Sequence, residues 1–137
     1  MLNKIKVKNF EVWDAETGEA DILAKFQNNI ELKAFTLDQF ENNEDTDVIV
    51  SLFCHDFEIF DKPIESKISN IEDDFHAEVI GKIVDFISNQ EEGNIITIDC
   101  NNIFLLVYID SEDIEKIKKG YYFKGSGRLD IETQIES

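Results

Sequence analysis

Few residues in this chain are of types that could do chemistry, and three of them stand together. Cys54, His55 and Asp56 occupy the middle of FCHDFEIF, residues 53–60. A thiol, an imidazole and a carboxylate are zinc ligands, and a Cys–His couple is a nucleophile with its base. Spacing argues against both. If residues 48–60 form one strand, neighbouring side chains point to opposite faces. Ile49, Phe53, His55, Phe57 and Ile59 then share one face, with His55 turned inward among aromatic rings. Val48, Val50, Leu52, Cys54, Asp56 and Glu58 share the other. A structural zinc site takes four N or S ligands. The whole chain offers two cysteines and two histidines, and neither Cys100 nor His76 stands at ligand spacing from the first pair. The expectation is a core strand, with no metal and no cofactor.

Other motifs fall short in the same way. KGSGR, residues 124–128, lies inside a predicted strand, whereas a nucleophile elbow or a phosphate-cradling loop must open a helix. The loop DQFENNEDTD, residues 38–47, lacks the central glycine and closing glutamate of a calcium loop. Acid pairs such as Asp73–Asp74 are expected by coincidence among thirty acids. The chain reads as non-enzymatic.

The elements around these residues are strands. Runs at 4–14, 20–26, 30–37, 48–60, 75–87, 94–100, 102–109 and 120–131 are rich in β-branched and aromatic residues and separated by Gly and Asn turns, which predicts an all-β fold. Two short helices are expected, one behind Pro63 with Ile64, Ile68 and Ile71 on one face, and one capped by Ser111 with Ile114 and Ile117. QNNI at 27–30 lines up with CNNI at 100–103, an offset of 73 that also lays Val48 on Tyr121. Both long first strands change phase, after Val7 and after Ile83, and each change marks a bulge or sharp coil. Gly81 is the expected site of the second bend.

A long coiled first strand, two more strands, a short helix and a closing strand resemble the OB-fold barrel. The resemblance is best over 75–131, ending in IKKGYYFKGSGRLDI. It implies two OB-like small barrels or half-barrels packed in tandem, with an N-terminal β half (1–60), a connector that includes the first short helix (61–74) and a C-terminal OB-like half (75–137). OB-folds bind oligonucleotides, oligosaccharides or proteins, so the resemblance does not choose among ligands.

Charge narrows the choice. Thirty acids against thirteen bases give a net charge of −17, and residues 38–78 hold thirteen of those acids against two lysines. Such a field repels phosphates and anionic membranes and speeds association with basic surfaces. The expected partner is another protein with a basic surface, as for small acidic immunity proteins or inhibitors that cover a basic site. Nucleic acid and membrane are not expected. The candidate contacts are Asp38, Phe40, Glu41, Glu44, Asp45 and Asp47 in the acidic loop, and Glu72, Asp73, Asp74 and Phe75 in the connector, with the two phenylalanines as aromatic anchors. The alternative is a single-stranded nucleic-acid or oligosaccharide face on Tyr122, Lys124 and Arg128, in the stretch 116–128 that carries five bases and no acid. MLNKIKVKNF has no apolar signal core, and the longest apolar run, 103–109, falls far short of the ~20 residues of a membrane helix. A soluble cytoplasmic protein with free thiols is expected.

Overall fold

The computed structural model describes residues 2–54, 56–71, 74–89, 93–109 and 115–133. Ten strands carry the chain: β1 (Asn3–Asp14), β2 (Glu19–Phe26), β3 (Glu31–Thr36), β4 (Asp45–Phe53), β5 (Phe57–Phe60), β6 (Lys67–Asn70), β7 (His76–Asn89), β8 (Gly93–Cys100), β9 (Ile103–Ile109) and β10 (Tyr122–Thr133). The fold is all-β, as the alternating runs predict. Inward positions along β2 (Ala20, Ile22, Ala24, Phe26) and β9 (Ile103, Leu105, Val107, Ile109) are buried, while their neighbours face outward.

The strands close two small barrels, and each needs a strand from the other half. In the first ring β1 pairs with β2, β2 with β3, β3 in parallel with β10, β10 with β4, and β4 with β1. In the second, β7 pairs with β8, β8 with β9, β9 in parallel with β4, β4–β5 with β10, and β10 with β7. Thus β4–β5 and β10 cross antiparallel and serve both rings. The core is accordingly one cluster, running from Ile5, Ile22 and Leu32 through Leu52 and Leu129 to Ile83, Ile98 and Phe123.

The offset of 73 is visible in three places. β1 starts at Asn3 and β7 at His76. The two Asn-Asn turns abut, with Asn28 Nδ2 donating to the Asn101 carbonyl at 2.7 Å. The crossing strands touch at Cys54 and Gly127, where a Cβ on the glycine would clash with the Phe53 carbonyl oxygen and lie 3.0 Å from Cys54 Cα. These matched positions fit one plan repeated in each half.

Several local expectations change. Residues 48–60 are two strands, because the chain breaks pairing between Phe53 and Phe57 where it passes Gly127. The faces of β4 are the reverse of those expected: Val48, Val50 and Leu52 fill the interior, and Phe53 is 46% exposed. Among the described residues of the connector there is no helix. Ile68 is buried opposite Val79 as part of β6, since laddering on β7 satisfies backbone groups that so short a helix would leave exposed. Of the second expected helix, 111–114 lie outside the described residues, and 115–116 form a single 3-10 turn before the buried Ile117. Register shifts fall between Val7 and Asn9 and between Ile83 and Asp85, where the phase changes place them. Gly81 has a different use from the bend assigned to it. It packs β7 against β8, with Cys100 Sγ and Ile98 Cγ2 each 2.5 Å from where its Cβ would be.

Candidate functional site

The acidic loop is built more tightly into the fold than a free contact surface would be. Asp38 Oδ2 accepts from the Thr133 N–H at 2.7 Å and from its hydroxyl at 3.2 Å, tying the loop to the end of β10. Phe40 is 6% exposed and meets Phe10 edge-on at 6.0 Å, so it belongs to the core and offers no anchor to a partner. Glu44 accepts from the Glu41 N–H at 2.9 Å. Asp45 and Asp47 lie on β4 opposite Lys6 and Lys4 of β1, and with Lys25 they line a cleft of about 650 Å³. Glu72 and Asp73 lie outside the described residues. Asp74 accepts from the Phe75 N–H at 2.7 Å and meets His76 Nδ1 at 3.0 Å. These contacts, the N–H bond foremost, hold its carboxyl below the usual range.

The alternative cationic face is also largely committed. Arg128 is forked onto its neighbour two residues on, Nε to Asp130 Oδ1 at 2.6 Å and Nη2 to Oδ2 at 2.9 Å. Lys124 is exposed, but it sits in a depression with Asp56, Glu58 and Glu78. Tyr122 is half-buried at the start of β10, between Phe60 and Lys82 of the flanking strands.

The residues of FCHDFEIF scatter. His55 lies outside the described residues. The Cys54 thiol is pushed up to about 11 by burial first and by Asp56 second. Burial likewise raises Cys100, with Asp99 adding to it. Among the described residues no group of three or more His, Cys, Asp or Glu is placed to hold a metal ion.

The surface that stands out is the outer face of β3, β10, β4 and β9, where the two halves exchange strands. Register lines its side chains into rows. Phe35, Asp130, Ser51 and Leu106 lie side by side across the four strands. One step along, the Arg128 guanidinium lies 4.6 Å over the Phe35 ring and 5.3 Å from Phe53, whose ring stacks on Tyr108 at 5.8 Å. The aromatic surface continues past Phe35 through Phe75 and Trp13, stacked at 5.7 Å, and Phe75 stacks on His76 at 5.4 Å. Trp13 donates from Nε1 to Asp21 at 2.8 Å. Trp13, Phe53 and Tyr108 are each close to half exposed, as is the neighbouring Leu37 at 60%.

Desolvation raises the Asp130 carboxyl, and Arg128 counters that by hydrogen bond and charge. The arginine is thus held in place by a half-buried acid and two rings. Of this face, sequence reasoning found Arg128 and Phe75 and missed Trp13, Phe53 and Tyr108 as surface residues, together with the buried Phe35 and Ser51 beside them. The available signal was Ser51, the one polar residue within the apolar run 48–53, which marks the odd-numbered side of β4 as the outer one.

No family model matches the chain, and no curated protein matches it. Among solved structures it is similar to the cytoplasmic molybdate-binding protein ModG, in a crystal form with molybdate bound, at 9% identity and a TM-score of 0.54. That alignment covers 98% of this chain and 96% of the other. The likeness is one of fold across both barrels. No helix among the described residues is long and apolar enough to cross a membrane.

Proposed function

We propose that this chain is a non-catalytic binding protein that uses the aromatic face around Arg128 to hold another protein with a basic surface. The observation that carries the reading is the run of partly exposed rings, Trp13, Phe75, Phe53 and Tyr108, joined through the buried Phe35 and one fixed arginine. Aromatic and arginine side chains are the residues most enriched at binding hot spots, and a connected apolar surface is uncommon on a protein that works alone. Carboxylates rim the surface at Asp21, Asp38, Asp74 and Glu132, and the net charge of −17 favours rapid encounter with a basic partner. Covering the basic site of a toxin or nuclease, as immunity proteins and inhibitors do, is the narrower role that charge and size suit.

The test is paired capture from native extract with the wild-type chain and the double variant Phe53→Ala, Tyr108→Ala. A protein retained by the first and lost by the second supports the reading, and equal retention by both sinks it. A labelled single-stranded oligonucleotide titrated at low salt tests the alternative, which the OB-like scaffold favours. Lys124 lies among acids and Arg128 is tied to Asp130, so no micromolar binding is expected.

A further inference from the structure

The outer face contains a cleft of about 370 Å³ with a specific chemical character. Rings of Phe35, Phe53 and Tyr108 contribute to its walls, and Asp38, Asp130 and Glu132 line it as well. Ser51 also lines it. That serine is 4% exposed, yet its hydroxyl makes no hydrogen bond to any described residue. Among the described residues no fully buried side-chain N or O lacks a partner, so the bare hydroxyl opens onto the cleft. A hydroxyl so placed, unpaired inside the fold and open to the cleft, can accept from or donate to whatever enters it.

Charge points the same way. Three carboxylates line the cleft, and the single guanidinium at its border, Arg128, is already spent on Asp130. Glu132 makes no ion pair within 4.0 Å among the described residues, and Asp38 uses one carboxylate oxygen, leaving the other free. The carboxylates give the cleft an excess of acceptor capacity, to which the Ser51 hydroxyl can add, walled by aromatic faces. A cation with several N–H donors and a flat, weakly hydrated body fits both features, and that is a guanidinium. Arg128 displays the same contact at the rim, stacked on Phe35 and Phe53 while forked onto a carboxylate.

We propose that this cleft receives an arginine side chain from the protein partner, its guanidinium against Phe53 and Tyr108 and its N–H groups on Ser51 and Glu132. The proposal rests on the binding role argued above and names the group that is recognised. A lysine ammonium would satisfy the charge but not the planar stacking.

The experiment uses the full chain labelled for amide NMR and three blocked tripeptides, Gly-Arg-Gly, Gly-Lys-Gly and Gly-citrulline-Gly. Citrulline keeps the shape of arginine and removes its charge. The arginine peptide is expected to shift the amides of Ser51, Phe53, Tyr108 and Asp130, the lysine peptide to bind about fivefold more weakly, and the citrulline peptide not to bind. Tyr108→Leu and Glu132→Gln should each weaken the arginine peptide about three- to tenfold. Both sites are exposed, so the fold survives, and Glu16→Gln on the distant β1–β2 turn should change nothing. Shifts spread over the acidic surface, or equal affinity for arginine and lysine, would overturn the proposal. If the peptides fail while paired capture still depends on Phe53 and Tyr108, the arginine pocket is wrong and the binding face stands.

Discussion

Gly127→Ala is the most direct test of the strand exchange. A Cβ at this position would clash with the Phe53 carbonyl oxygen and lie 2.7 Å from its carbon and 3.0 Å from Cys54 Cα. All three atoms are backbone, so no side chain can rotate out of the way. Relieving the contact with the Phe53 carbonyl oxygen, the nearest of the three, requires the crossing strands to part by more than about 1 Å. That strains the ladder joining Leu129 to Leu52 and moves Arg128 off its two rings. Overpacking of this kind costs about 1–3 kcal/mol, and a weakened ladder bond adds about 1 kcal/mol. A loss of about 3 kcal/mol is expected, out of a total near 5–15 kcal/mol. At this chain length it lowers Tm by about 10 °C.

The assay is urea and thermal unfolding followed by two probes. Trp13 fluorescence reports the first barrel, and the amides of Ile96 and Ile98 report the second. Because β4–β5 and β10 belong to both rings, the two probes should lose stability together, with the urea m-value unchanged. Ser126→Ala, one residue earlier and exposed, is the control and should be neutral within about 0.5 kcal/mol. A Gly127→Ala loss below about 1 kcal/mol, or a midpoint that shifts at one probe only, would refute the shared-strand reasoning.

Three further outcomes are expected. Arg128→Met leaves Asp130 half-buried without its partner and should cost about 1–3 kcal/mol at pH 7. Since burial raises that carboxyl and the loss of Arg128 raises it further, the penalty is complete above its folded pKa and fades as pH falls to the unfolded value near 4; a penalty that does not change with pH between 3 and 7 would count against it. Alkylation of Cys54 should be slow at pH 8 and accelerate about tenfold per pH unit, because its thiol is pushed up to about 11, and a rate plateau near pH 9 would contradict this. Zn²⁺ in micromolar excess should leave Tm where it was, and a gain of several degrees would restore a ligand role for Cys54.

The fold was legible where local pattern and global position agree. Alternation named the strands, the phase switches located the bulges, and the paired Asn-Asn turns located the repeat, since all three are properties of short segments. The connector was misread because Ile64, Ile68 and Ile71 satisfy a helical period, while the ladder partner that decides the matter, Val79, belongs to a different segment. Exchange of strands between barrels has no local signature at all. It follows from how β4 and β10 continue past Gly127, and a glycine in a strand reads equally well as a bend.

The aromatic face was harder still, because it is assembled from two strands of each half and each of its rows depends on register across the exchange. Phe53 and Tyr108 become neighbours only through the parallel pairing of β4 with β9, and Phe35 reaches Arg128 only through the parallel pairing of β3 with β10. Parity by itself could not say which side of β4 is outside, as both sides are largely apolar. Small barrels settle this by volume: the interior of the first ring takes the compact side chains Val48, Val50 and Leu52, and the phenylalanine on the opposite parity is left on the surface. An aromatic residue excluded from a small interior, next to another excluded from the adjoining barrel, forms a surface that the core cannot use. With acids around it and a bare serine beneath it, that is the surface on which the proposed binding site rests.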